Sequence, residues 1–300
     1  MGTRPGLPPE AEFILRTIFG RSLLAGSSRP DHTKSLRWHK VYRLSYAWGL
    51  APSYYVRLRE QGGEKGIPKR IKDVFQGEVS SIVAKNLRIL TDLERVLKAL
   101  NAEGIVPVAL KGSALMIQDA SGYGCLRPTD DVDLLLPQEQ IDKGARILRG
   151  LGFRSLKGGG ISHLPILLSR SGIPFELHWN LAVREYFPRA WNLKAFWRKS
   201  RAVRWHGCRV RVPCVEDACL LTLVNSLFLG TPGQGNLVRA LGDLEAILWK
   251  KGKPRMGWGH FALRFSSRAR VHHLEGPAWL AFMVLNQVLC HPRWLCQVLH

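Results

Sequence analysis

Asp131 and Asp133 stand two residues apart in the run RPTDDVDLLL. In an extended chain residues i and i+2 share a face, and VDLLLP at 132–137 has the apolar character of a buried strand. Two carboxylates on one face of an apolar strand repel each other and resist burial, so a site that keeps both ionised needs a cation between them. Magnesium is the natural occupant because it takes hard oxygen ligands, with manganese as the alternative. Asp130 points to the opposite face of such a strand and reads as a capping residue rather than a ligand. A bare Asp-x-Asp also occurs in many strands that hold nothing, so the pair gains meaning only from its surroundings.

Two other features supply them. Gly112-Ser113 follows a short β-branched run, IVPVAL, and opens a helical one. Backbone N–H groups and the Ser113 hydroxyl would there face an anion at a helix N-terminus, which makes a phosphate cradle. The same two residues equally suit an ordinary strand-to-helix turn, with glycine for tight geometry and serine as a cap. Glu176 lies in FELHW with His178 two residues later on the same face. Three acids on adjacent strands can bind two divalent ions. Glu176 would otherwise be a solvated strand residue paired with Arg184 or Arg170, and His178 a satisfied core histidine beside Trp179 or a group that orients Glu176.

The elements that must position these residues can be read from periodicity. Residues 36–60 predict two short amphipathic helices broken at Pro52, and the apolar set from Val74 to Leu100 predicts one long helix over 73–101 with Gly104 as its stop. The pattern then changes. Residues 105–112 and 132–137 predict strands, with a helical turn over Ser113–Gln118 between them and an amphipathic helix over Gln138–Leu151 after them. LPILLSRSGIPFELHWNL predicts a hairpin turning at Ser171-Gly172, its second strand Phe175 to Trp179. Helical patterning returns from Val215, and Pro277–Cys290 predicts a buried helix. The expected fold is α+β: residues 1–104 an N-terminal helical region, 105–180 a small mixed-sheet core, and 181–300 a basic, mainly helical region.

The run from Leu110 to Leu136, with KGSAL and RPTDDVDLL, followed by FELHW about forty residues further on, resembles a bacterial nucleotidyltransferase family of the DNA polymerase β-like superfamily. That branch has a Lys-Gly-small pair, an Arg shortly before Asp-Ile-Asp, and an acidic-x-His-Trp strand. The resemblance implies that Gly112 and Ser113 form the phosphate turn, that Asp131 and Asp133 are the metal-binding pair, and that Glu176 is the third carboxylate, with Lys111 and Arg127 as the basic positions beside the nucleotide. The gap from Ser113 to Asp131 is longer than in the well-studied polymerases, though it suits this branch, and the third acid is Glu where Asp is commoner. By that resemblance the chain moves a nucleoside monophosphate from a triphosphate, such as ATP, to an acceptor hydroxyl and releases pyrophosphate.

Composition bears on the acceptor. The 300 residues carry 44 Lys and Arg against 23 Asp and Glu, a formal charge of +21, with 46% hydrophobic residues, which excludes a disordered chain. The excess is uneven: +8 over 1–104, +1 over 105–180 and +12 over 181–300. The basic excess therefore disappears over the central segment, as it would for a cation site set between basic walls and equally for a generally basic surface. Residues 184–211 alone hold nine basic side chains with Tyr186, Phe187, Trp191, Phe196, Trp197 and Trp205 among them and Glu185 as the acid. That interleaving suits a nucleic-acid track, and it also suits a hairpin whose aromatics pack inward under arginine stems. RNA is the leading acceptor on charge, with a small hydroxylated molecule or a protein behind it. A non-catalytic nucleotide- or RNA-binding module and a helical protein that meets anionic membrane are the readings from other classes.

Six cysteines, with no Cys-x-x-Cys pair, predict reduced structural thiols. The start, MGTRPGLPPEAEF, lacks the basic and apolar regions of a secretory leader, so the cytoplasm is the expected compartment. The most apolar late stretch falls short of the roughly 20 residues that a spanning helix needs.

Overall fold

Helical periodicity is the strongest signal in the first third of the chain, and the computed structural model turns it into four α-helices among the described residues. Residues 8–19, 36–118, 122–160, 162–181, 190–226, 236–250, 253–254 and 258–280 are described. Helix α1 is Pro9–Phe19, α2 Trp38–Ala47, α3 Ala51–Glu60 and α4 Lys69–Ala102. Pro52 falls in the first turn of α3, where its missing N–H leaves no intrahelical bond unmade. Helix α4 starts a few residues before the expected one and ends as expected. Gly104 adopts φ +75° and lets the Ile105 N–H reach back to the Leu100 carbonyl at 2.9 Å.

The core follows in the expected order with shorter pieces. Strand β1 is only Val108–Ala109, helix α5 is Lys111–Gln118, α6 is Tyr123–Leu126, and β2 is Val132–Leu135. Pro107, which has no N–H for a ladder, keeps β1 short and instead accepts from the Arg211 N–H at 2.8 Å. Helix α7 (Ile141–Gly150) then leads through β3 (Arg154–Ser155) and β4 (Leu167–Leu168) to β5 (Pro174–His178). The hairpin turns where expected, and its second strand is displaced by one residue toward the N-terminus.

Helix α8 (Leu193–Lys199), the hairpin β6 (Arg201–Trp205) and β7 (Cys208–Val212), helices α9 (Val215–Val224) and α10 (Asn236–Leu248), a small ribbon β8 (Trp249–Lys250) with β9 (Lys253–Pro254), and α11 (Trp258–Val271) complete the described chain. The last expected helix, Pro277–Cys290, lies beyond residue 280 for most of its length and so outside the described residues.

One mixed sheet of order β3-β4-β5-β2-β1-β7-β6 organises these elements. Strand β2 is antiparallel to β1 and parallel to β5, and β7 is parallel to β1, so the sheet reaches residues 201–212, beyond the central segment. Its two faces differ. Val132, Leu134, Phe175 and Leu177 pack with Ile89, Leu93, Val96, Leu97 and Leu100 of α4 and with Leu148 of α7 in one cluster. Leu135 and Val108 face the other way, into a second cluster that joins Trp48, Tyr54, Tyr55 and Phe75 to Leu220, Leu241 and Phe265. Phe75 and Tyr55 are stacked at 5.1 Å there. Alternation along β2 and β5 sends their remaining side chains, Asp133, Glu176 and His178, to that second face.

Candidate active site

The register of β2 on β5 sets the centre of the site. Asp133 lies directly beside Glu176, and Leu135 beside His178. Asp133 is 1% exposed, and its Oδ1 accepts from the Lys111 ammonium at 2.8 Å and lies 2.8 Å from His178 Nε2. His178 Nε2 is also 3.3 Å from Glu176 Oε2. Burial works against an ionised Asp133, but Lys111 and His178 outweigh it and hold its carboxyl well below the usual range. Hydrogen bonding to His178 lowers Glu176. Burial opposes charge on His178 and on Lys111, yet their acidic neighbours raise the pKa of each.

Lys111 reaches Asp133 from an unusual backbone conformation. Its φ is +45°, in the left-handed region that costs an L residue about 1–2 kcal/mol. The sharp turn from β1 into α5 is what aims the ammonium at β2, and a strained position at such a place is a common mark of function. Gly112 and Ser113 sit inside the first turn of α5 rather than ahead of it. First-turn amides lack intrahelical acceptors. Ser113 is wholly buried, and its Oγ has no hydrogen-bond partner among the described residues. A Cβ on Gly112 would stand 2.9 Å from Arg127 Nη1 and 3.0 Å from Thr129 Cγ2, so only glycine lets the 127–129 segment close over the helix start.

Asp131 is half-buried and makes no hydrogen bond or ion pair among the described residues. Burial and then the charge of Asp133 push its pKa up to about 6, while Lys111 pulls the other way. Asp130 is exposed and ion-paired to Lys85. Arg127 is partly buried, with Nε 2.7 Å from Asp243 Oδ1 and Nη2 3.0 Å from Oδ2, and its Nη1 donates to Thr129 Oγ1 at 3.2 Å. The loop between α6 and β2 is held from its other side by Asn86 of α4, whose amide donates to the carbonyls of Cys125 and Arg127 at 2.8 and 2.9 Å.

Three donor groups, from Asp133, Glu176 and His178, lie within 4.8 Å of one another and could hold a metal ion. The oxygen inventory fits magnesium. Both contacts of Asp133 fall on Oδ1 and that of Glu176 on Oε2, which leaves Asp133 Oδ2, Glu176 Oε1 and both Asp131 oxygens without a partner among the described residues. Beside Asp131, and not bordered by Asp133, Glu176 or His178, is a cavity of about 400 Å³. Lys111, Gly112, Arg127 and Asp131 form its near wall, and Leu221, Thr222, Asn225, Arg239 and Asp243 of the α9–α10 region form its far wall. Its size suits a nucleotide-sized ligand.

A family described as "Uncharacterised nucleotidyltransferase" matches residues 34–289. The chain belongs to this nucleotidyltransferase family. None of the curated proteins matches it. Among solved structures, the solution structure of the antibiotic-resistance factor ANT(2'')-Ia aligns with 15% identity over 62% of this chain and 98% of its own, at a TM-score of 0.38. The crystal structure of ANT(2'')-Ia in complex with adenylyl-2''-tobramycin gives 14%, 61% and 99% at 0.42. An antigenic nucleotidyltransferase-like protein from Paracoccidioides brasiliensis gives 14%, 62% and 90% at 0.37.

In this nucleotidyltransferase Lys111, Asp133, Glu176 and His178 are in contact, Asp131 lies within electrostatic reach of Asp133, Lys111 and Glu176 but outside the Asp133–Glu176–His178 cluster, and Gly112 sits beside Arg127. His178 joins them as the bridge between Asp133 and Glu176, while also being a buried histidine at 2% exposure. Its i+2 spacing from Glu176 was the available signal. Asp243 and Asn86 are further parts of the site's frame that nothing local marks. Arg184 lies outside the described residues, as do Cys290 and Cys296, and no disulfide joins any two of the four described cysteines. Among the described residues no helix is long and apolar enough to cross a membrane.

Proposed function

We propose that this nucleotidyltransferase moves a nucleoside monophosphate from a nucleoside triphosphate to an acceptor hydroxyl, with Asp131, Asp133 and Glu176 holding Mg²⁺. The observation that carries this reading is Asp131: a half-buried carboxylate that has no hydrogen bond or ion pair among the described residues, lines the cavity and lies within electrostatic reach of Asp133 and Glu176. Such a group costs the fold stability unless a cation uses it. When bound, magnesium supplies neutralisation of phosphate charge and a lowered pKa at the acceptor hydroxyl. The first-turn amides of α5 at Lys111 and Gly112, which line the cavity, bind the triphosphate, while Arg127, held by Asp243, fixes the 127–129 segment over Gly112; Ser113, wholly buried and outside the cavity wall, supports the turn rather than contacting the phosphates. His178 holds Glu176 in place beside Asp133. The acceptor oxygen attacks the α phosphorus, the bond from that phosphorus to the bridging oxygen breaks, pyrophosphate leaves, and Glu176 or solvent takes the acceptor proton.

Incubation with each of four α-labelled nucleoside triphosphates, with and without magnesium, in the presence of total RNA and cell extract tests this. Magnesium-dependent label transfer lost in Asp131→Ala, with the fold retained by circular dichroism, is the expected result. Transfer retained by that variant overturns the mechanism. Tight nucleotide binding without turnover would make the chain a binding module.

A further inference from the structure

On the outer side of the β6–β7 hairpin two arginines face each other. The register pairs Arg204 with Arg209 and Ala202 with Arg211, so these four residues share one face. Val203, Val210 and Val212 lie on the other and pack inward. Arg211 is already committed: its guanidinium donates to Ser200 Oγ at 2.7 Å and to the Ser200 and Trp197 carbonyls at 2.6 and 3.2 Å. Arg204 and Arg209 are exposed, and neither side chain has a partner among the described residues. Like charges directly opposite each other in a ladder destabilise it. Glu94, near the tip of the hairpin, is held by Lys98 at 2.6 Å and by His206 at 3.2 Å, so it does not relieve the pair.

The hairpin also has a direction. Its tip is the His206-Gly207 turn, where the Trp205 and His206 rings lie 4.4 Å apart. Its base is at the cavity: Arg201 donates to Gln118 Oε1 at 2.7 Å, and Gln118 and Pro213, just after β7, are both cavity wall residues. Arg201 lies on the opposite face from Arg204 and Arg209, and on their own face the ladder runs from the tip through Arg211 to the base, where Pro213 borders the cavity that Asp131 lines. Helix α8, immediately before β6, adds exposed Lys194, Arg198 and Lys199.

We infer that the outer face of the β6–β7 hairpin binds the phosphate backbone of single-stranded RNA through Arg204 and Arg209 and delivers its end to the cavity. Guanidinium groups suit phosphate because their paired donors match two of its oxygens. A strand of phosphates supplies the repeated negative charge that an opposed arginine pair lacks, and the end of an RNA carries the hydroxyl that nucleotidyl transfer requires. The role of that end rests on the proposed transfer reaction, and the binding face does not.

The probe is a fluorescein-labelled 20-nucleotide RNA without secondary structure, titrated with the full chain by fluorescence anisotropy at two salt concentrations. Wild type should bind it, more weakly as salt rises. Arg204→Gln/Arg209→Gln should weaken binding by about tenfold or more and flatten the salt dependence by about two phosphate contacts. Arg204→Glu separates fold from binding, because it places a Glu opposite Arg209 and should raise the melting temperature while weakening RNA binding. Unchanged RNA affinity in both variants, or no RNA binding by wild type, overturns the inference. Association with phosphatidylserine vesicles but not RNA would overturn it in favour of a membrane surface. Binding through the arginines without label transfer to the RNA overturns its delivery as the acceptor, no transfer to any acceptor refutes the transfer reading alone, and transfer to another acceptor without RNA binding refutes the surface alone.

Discussion

Arg127 and Asp243 meet through two parallel hydrogen bonds, at 2.7 and 3.0 Å, across 116 residues of sequence. The pair ties the loop that leads into Asp131 to helix α10 on the far wall of the cavity. Tyr123 adds a third contact, its hydroxyl 3.1 Å from Asp243 Oδ1. Burial disfavours a charged Arg127, but Asp243 more than offsets this and raises its pKa.

Removing one partner of a buried pair leaves the other charge uncompensated. Asp243→Ala should therefore cost about 3–5 kcal/mol in urea unfolding, and Asp243→Asn less because it keeps an acceptor for one of the two bonds. Asp243→Asn should also raise KM for the triphosphate more than it lowers kcat, since it loosens Arg127 rather than the carboxylates. Equal stability of wild type and Asp243→Ala would show that the pair does not hold the loop.

Gly112→Ala adds a methyl that meets Arg127 Nη1 at 2.9 Å and Thr129 Oγ1 at 3.1 Å. The substitution is favourable for a helix, yet it must displace Arg127, and overpacking of this kind costs about 1–3 kcal/mol. A lower melting temperature together with weaker triphosphate binding is expected. A rise in melting temperature would mean that the 127–129 segment yields without cost.

Asn86 is 1% exposed and supplies the donor for the carbonyls of Cys125, Arg127 and, at 3.4 Å, Gly124. Asn86→Asp keeps its shape and replaces that NH₂ with an acceptor. It should destabilise the chain by about 1–3 kcal/mol or more and lower kcat, because the segment carrying Asp131 loses its attachment to α4. Chemical denaturation and steady-state kinetics on the same preparation provide the check.

Asp131 gives the pH dependence its sign. Its pKa is pushed up to about 6 in the folded chain, above the ordinary value of 3.8, so ionisation costs folded stability as pH rises between these values. In EDTA, Asp131→Asn should match wild type below about pH 4, gain on it between about pH 4 and 6, and remain more stable by on the order of 3 kcal/mol above that. Magnesium, which favours the ionised form, should narrow the gap. A constant difference across the range would show that the carboxylate is not the cause.

Much of this molecule could be read along the chain. The 3.6-residue repeat of Val79, Val83, Leu90 and Leu97 dictates α4, and the alternation of β2 and β5 dictates that Asp133, Glu176 and His178 face away from the apolar cluster. Period and polarity are local properties, and they decide which face a side chain takes. Which residues meet on that face is not local. The parallel register that sets Asp133 beside Glu176, the left-handed Lys111 that reaches them, the addition of β7 and β6 beside β1, and the choice of Asp243 as the partner of Arg127 all follow from how strands and helices pack once assembled. A buried charge takes whichever counter-charge the packed elements bring within reach, so spacing alone placed the carboxylates on one face and only the tertiary structure decided what holds them there.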